Sequence, residues 1–319
     1  MQIEKNYAKE FEYIQNAYEK AGGDVSKLLS KDIVSIIISG NQILGRNTVD
    51  GVHINAETKD NKVKMVMEID DNVQLKKPIH LCVGYLKDFG EQLLDYEFKI
   101  GNNVKVNFVS HCSFPAAKDI LHKMTSHMEI GDNSKVNYED VHFHNEEGLV
   151  NLDTYYKTNL GKHSKLDNRF TLTKTRVGKM KIKMDVDLDD YASTYLETKV
   201  REKKDDYVEI EEIMNLNGAH SSGLAKTFVI ATDESKALVK TEAFGNGDYS
   251  KGHIECDEIV DGPKVDLSTI PLLRVKNELS ELTHEASVGR INSEQLETLM
   301  AKGLTDEEAT EMIIQSILK

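Results

Sequence analysis

Residues 178–190 read GKMKIKMDVDLDD, and the order of apolar and charged side chains in this stretch decides the fold class. Met180, Ile182, Met184, Val186 and Leu188 fall on one face of an extended chain, and Lys181, Lys183, Asp185 and Asp187 on the other. Side chains alternate faces along a strand, so a period of two marks a strand with one buried face. The same alternation begins at about Asn61, where Val63, Met65, Met67 and Ile69 interleave with Lys64, Val66 and Glu68. VKVNFV (104–109), YVEIEEIMNLNG (207–218), TFVIATDES (227–235) and ALVKTEAFGNG (237–247) repeat it. Turn-forming groups separate these runs: Gly101-Asn102-Asn103, Gly131-Asp132-Asn133, Asn217-Gly218, Asp233-Glu234-Ser235 and Gly245-Asn246-Gly247. Short strands with a turn signal every ~10–16 residues suit a sandwich, a barrel or a β-solenoid. Four prolines and few aromatic anchors favour stacked aliphatic coils, although no strict repeat motif is visible.

The two ends read differently. Tyr7, Phe11, Ile14 and Tyr18 recur at helical spacing until Gly22-Gly23, and DVSKLLSKD (24–32) predicts a shorter helix. VSIIISGNQILG (34–45) predicts an apolar strand, a Gly-Asn turn and a return. Beyond Gly289, Asn292 with Gln295 and Thr305 with Glu308 are spaced as capping boxes, the first helix stopping at Gly303. Ala309, Met312, Ile313 and Ile317 form a stripe that packs on its own domain or docks another chain. This gives a helical or mixed region over 1–52, a β core over 53–288 and a helical tail over 289–319.

Bulk properties narrow the function. Hydrophobic residues make up 39% and charged residues 29%, in the range of a folded soluble chain. The net charge of −14 argues against nucleic acid or an anionic membrane as the main partner. No apolar run approaches the ~20 residues of a membrane-spanning helix. The opening MQIEKNYAKEFEYI lacks the features of a signal peptide. Cys82, Cys112 and Cys256 are too few and too scattered for a disulfide framework. A cytoplasmic, reducing setting is expected.

No phosphate loop, HExxH, GxSxG or CxxC motif is present. The many carboxylates could supply the acid pair of a β-helical carbohydrate-active enzyme, but in this number they usually form a solvated face. Metal ligands fall into two groups. EDVHFHNEEG (139–148) sets His142 and His144 on one face of a strand, and SHCSFP (110–115) adds His111 and Cys112. Two imidazoles alone are too few to hold a metal, and a pair hydrogen-bonded to backbone is the plainer reading. Cys82, in PIHLCVGYL (78–86), reads as a buried small hydrophobe. The second group joins Cys256, in HIECDEIVDG (253–262), to His284 and Glu285, in LTHEASVG (282–289). Cys256 and His284 lie about 28 residues apart, what one coil would consume if the fold is a solenoid, and Glu255, Asp257 and Glu258 would hold the thiol protonated until a cation arrives. His284 and Glu285 are adjacent, so either a bulge turns both toward the thiol or one alone can reach it.

At these residues the chain resembles the SufB/SufD family, scaffold proteins of the SUF iron–sulfur cluster assembly machinery. The resemblance runs from about residue 30 to the C-terminus, through KKPIHLCVGYL, SHCSFP, SHMEIGDNSKVNYEDVHFHNEEG, GAHSSGLAKTFVIATDESKALVKTEAFGN and SKGHIECDEIV. Its most specific part is IPLLRVKNELSELTHEASVGRINSEQLETLMAKGL followed by DEEATEMIIQSIL. The family implies a right-handed parallel β-helix flanked by N-terminal and C-terminal helices. It implies a non-enzymatic scaffold that holds a transient Fe–S cluster, of the 4Fe–4S type, where two β-helices pair as a homodimer or with a paralogue. A SufC-like ABC-type ATPase would dock on the C-terminal helices, with sulfur-donor and Fe–S acceptor proteins as further partners. By position Cys256 matches the family's scaffold cysteine, and His284 and Glu285 its HEA motif. The chain is a short form without the added cysteines and tryptophan of larger members, so a long sulfur-transfer tunnel does not carry over and Cys82 and Cys112 stay unassigned. A structural adaptor that binds the ATPase and holds no cluster is the other reading.

Overall fold

A computed structural model of the protein describes residues 30–291 and 293–318, together with Gln2, Ile3, Glu12, Asn16 and Glu19. The alternating runs are strands, and they coil into a parallel β-solenoid of about 8 turns. One wall is an 11-stranded sheet and the other a 9-stranded sheet, successive strands of the chain falling to alternate walls. Within a wall the register is regular: Lys135 pairs with Lys105 and Lys165, Lys165 with Ser193, Ser193 with Ser222, and Ser222 with Lys251. One coil therefore takes close to thirty residues.

No coil can bury its own apolar edge, so each is stable only when stacked between neighbours. The stacking places Met180, Ile182, Met184, Val186 and Leu188 in one continuous core, each almost fully buried. At one corner Asn103, Asn133, His163, Tyr191, His220 and Tyr249 all take left-handed backbone, with φ between 55° and 58°. Asparagine tolerates this region locally. The later corners have rings instead, and His163, Tyr191, His220 and Tyr249 stack at successive centroid spacings of 4.7, 4.9 and 5.1 Å. Glycine is required beside this corner, because a Cβ on Gly247 would sit 2.1 Å from the Gly218 carbonyl oxygen one coil below.

Two antiparallel hairpins begin the solenoid. Ser35–Ser39 and Gln42–Asn47 fold back at Gly40-Asn41 as predicted, and Val52–Lys59 pairs with Lys62–Ile69. Both join the main sheets. The predicted helix positions Tyr7, Phe11, Ile14 and Tyr18, the Gly22-Gly23 stop and Asn292 lie outside the described residues. Glu12, Asn16 and Glu19 are helical, whereas Lys31 and Asp32 lie in a turn, short of the end predicted for the helix over 24–32.

Helix α1 spans Ser293–Met300 and helix α2 spans Asp306–Ile317. The Thr305–Glu308 capping box is formed, Thr305 Oγ1 accepting from the Glu308 N–H and Glu308 Oε2 accepting from the Thr305 N–H. The buried stripe of α2 is Ala309, Ile313 and Ile314, while Met312 is 51% exposed. The stripe is thus rotated from the predicted one, because α2 lies against the solenoid wall. Arg201, on an outward position of Ser193–Glu202, donates both terminal nitrogens to Glu311, at 2.9 and 2.6 Å. Its register partner Ile230 also faces outward yet is buried.

Candidate functional site at the open end of the solenoid

The two walls end on strands Asp266–Val275 and Glu281–Arg290, and among the described residues nothing pairs beyond them. Their inward positions have no further coil above, so side chains that would be core one coil earlier are open here. Val288 is 53% exposed, and His284 and Ala286 are exposed too. Cys256 sits one strand below this edge, in Lys251–Asp261, where Ile254, Cys256 and Glu258 point inward.

The register settles the facing problem in the sequence. Ile254 pairs with His284, Glu255 with Glu285 and Cys256 with Ala286, with no bulge across the pair. His284 therefore shares the inner face with Cys256 as its diagonal neighbour, and Glu285 lies on the outer face beside Glu255. The coil is two residues longer here than the Cys256–His284 spacing, so the two are offset along the strand rather than opposite. Of the three predicted ligands, one chain brings Cys256 and His284 to one face and leaves Glu285 on the other.

The inner face supplies a group that sequence reasoning passed over. Glu258 had been counted with the carboxylates crowding the thiol, yet its position two residues from Cys256 puts it on the same inward row. It is 1% exposed, and burial pushes its carboxyl up to about 7. Burial first, and then the Glu258 charge, push the Cys256 thiol up to about 11, against the opposing hydrogen bonds of Thr269 and Thr241. Cys256 Sγ is 3.8 Å from Thr241 Oγ1. Below it Thr198 and Thr227 continue the inward row, and both donate to Glu212 across the interior, at 2.7 and 2.9 Å. A thiol held protonated by burial and a carboxyl raised into the neutral range, on the same inward row beside an open imidazole, can exchange protons for a cation.

The first group of metal candidates divides between the faces of its wall, Cys112 and His142 pointing inward and His111, paired with Cys82, outward. Cys82, Cys112, His111, His142 and His144 are all buried, and of the two imidazoles expected to bond backbone, His144 does so, its Nδ1 3.1 Å from the Val177 carbonyl. Cys82 is in the fully buried strand Ile79–Gly84, as a small hydrophobe.

Comparison with known proteins gives this geometry its context. The family model for the SUF system FeS cluster assembly SufBD core domain matches residues 95–317. An iron-sulfur cluster assembly SufBD family protein of Pyrococcus horikoshii is 49% identical over 318 residues, covering all of this chain and 96% of the relative. One from Methanocaldococcus jannaschii is 33% identical over 283 residues, 89% of each chain. The iron-sulfur cluster assembly protein SufB of Bacillus subtilis is 30% identical over 117 residues, 32% of this chain and 25% of its own. With a SufBD core over most of its length and near full-length relatives of the same description, the chain belongs to the SufBD family of iron–sulfur cluster assembly proteins.

Proposed function

We propose that this chain is the scaffold subunit of a SUF-type assembly complex, and that an Fe–S cluster is its transient cargo at the open end of the solenoid. One observation carries the reading: Cys256 and Glu258 are buried on the inner face of Lys251–Asp261, one strand below His284, whose own strand is paired by nothing further among the described residues. A 4Fe–4S cluster takes four protein ligands, usually thiolates. One chain offers a single cysteine here, so a second copy must complete the set.

The shape of the end supports such a pairing. Both terminal strands present unpaired backbone N–H and C=O groups, which invite another strand. Ile270, Val275, Leu279 and Val288 are exposed there, an apolar fringe that a partner would cover. A two-fold homodimer, or a pair with a paralogous SufB/SufD scaffold, repeats each ligand: two Cys256, two His284 and two Glu258. Glu285 faces outward and joins the set only from across the seam. Nitrogen and oxygen ligands in place of thiolates leave the cluster exchangeable, which suits delivery to acceptor proteins.

The chain has no nucleotide motif of its own and acts as a non-enzymatic scaffold. Its tail offers a surface for a SufC-like ABC-type ATPase. Leu304 and Met312 form an apolar patch beside Glu307, Glu308 and Glu311, outside the buried stripe of α2. A sulfur donor feeds the site, in the cytoplasm. Anaerobic reconstitution of the full chain with iron and sulfide tests the reading, with cluster absorbance and native mass measured together. Cluster on a two-chain species is expected. A folded chain that stays monomeric and takes up no cluster overturns it.

A further inference from the structure

Five strands along the wall from the open end, Lys105–Ser113 and Lys135–Phe143 run side by side and set Cys112 opposite His142, and Ser110 opposite Asp140. Cys112 Sγ is 3.9 Å from Asp140 Oδ1, and His142 Nε2 is 3.5 Å from the same oxygen. The three ligand atoms all lie within 4.8 Å of one another, and the three residues are no more than 2% exposed. Asp140 Oδ2 accepts from the Tyr156 hydroxyl at 2.5 Å.

Two more imidazoles, His122 and His144, lie beside the His142 ring, and their tautomers follow from their partners. Gln92 donates its amide nitrogen to the Gly40 and Gly84 carbonyls, at 2.6 and 3.0 Å, so its Oε1 faces His122 Nδ1 at 2.9 Å. An amide oxygen only accepts, so Nδ1 of His122 carries the proton. The Val177 carbonyl, 3.1 Å from His144 Nδ1, fixes the same tautomer there. Nε2 of His122 and of His144 are therefore bare lone pairs, buried and without a hydrogen-bond partner, and neither ring nitrogen of His142 has a hydrogen-bond partner. A buried acceptor with no donor destabilises the fold. Imidazoles that ligate metals characteristically anchor the other ring nitrogen in this way.

The spacings fit an ion. The His142 ring lies 5.9 Å from that of His122 and 5.7 Å from that of His144. Metal–nitrogen bonds of ~2.0–2.1 Å at tetrahedral angles put such rings roughly 5–6 Å apart. A thiolate and a carboxylate around a divalent ion sum to zero charge, which removes the penalty of a lone buried carboxylate.

We propose that Cys112, Asp140 and His142, with His122 as fourth ligand, form a buried site for a divalent transition-metal ion of the zinc class. The sulfur, nitrogen and oxygen donors select a borderline ion over calcium or magnesium. The ion enters before the coils close over it and staples two neighbouring strands of one wall to the Asp119–Ile130 strand of the other. The site is separate from Cys256 and does not depend on the scaffold reading.

The test uses Co²⁺ as probe. The full chain is unfolded with chelator, refolded anaerobically with Co²⁺ and desalted. One ion per chain with a thiolate-to-cobalt charge-transfer band is expected, retained in Cys256→Ser and lost in Cys112→Ser. If Cys112→Ser does not fold, the Cys82→Ala/Cys256→Ser chain, in which Cys112 is the sole thiol, must keep the band. A refolded wild-type chain without cobalt, or a band that disappears with Cys256, overturns the proposal.

Discussion

Cys256→Ser separates ligand chemistry from packing. The side chain is 1% exposed, so a careless substitution would leave a cavity or an unsatisfied hydroxyl. Serine keeps both effects small, because it is nearly isosteric and a slight shift brings its hydroxyl within reach of Thr241, which lies 3.8 Å from Sγ. The expected cost is about 1 kcal/mol, in the range of one net hydrogen bond. For a chain of this size that lowers Tm by about 2–4 °C at most. The loss of cluster is expected to be of a different order. Two-fold symmetry removes the ligand from both copies, so reconstituted absorbance should fall to background rather than to half. Reconstitution with iron and sulfide, a thermal melt and native mass on the same sample measure all three quantities. A folded, dimeric Cys256→Ser protein with wild-type absorbance would refute the assignment; a melt lowered by tens of degrees would mean that the thiol is core and nothing more.

Other variants test neighbouring parts of the argument. His284→Ala should reduce cluster yield more than Glu285→Ala, since only His284 shares the inner face with Cys256; the reverse order would show that the seam reorients the last strand. Glu202 is buried, and burial raises its carboxyl from 4.5 to about 8, so its stabilising neutral form is fully present below 4.5 and is lost as pH rises through 8. The gap corresponds to a ceiling of about 5 kcal/mol. Melts of Glu202→Gln should accordingly be flatter than wild type between pH 5 and 8, and parallel curves would contradict this. Met312→Asp should abolish co-purification with the ATPase while leaving the melt within about 1 °C, because Met312 lies outside the buried stripe of α2. Arg201→Ala should release α2, read as faster proteolysis of the tail, at a cost of about 1 kcal/mol to global stability.

Much of the site could be read from residue spacing alone. Once residues 251–261 are a strand, Cys256 and Glu258 must share a face, and His284 and Glu285 must not. Glu258 was missed because a carboxylate in an acidic run looks like solvated surface, and only the phase of the alternation says otherwise. The interior cluster was harder to see. Cys112 and His142 are thirty residues apart and become neighbours only through the coil length, which carries no strict repeat signature in this chain. The tail behaved similarly: its capping box was plain, but whether Met312 or Ile314 faces the wall depends on where Arg201 catches Glu311.

By itself the sequence determined the strands, their inward and outward faces, the corners and the caps, because these follow from periods of two and 3.6 and from local backbone preference. It could not set which coil lies on which, since register between strands depends on the number of residues each corner consumes. Tertiary structure decided that Cys256 lies one strand below an uncapped edge, and that His284 rather than Glu285 faces it there. The same long-range register gathered the buried imidazoles, Cys112 and Asp140 into one dry space, where unpaired nitrogen lone pairs mark a place for a cation.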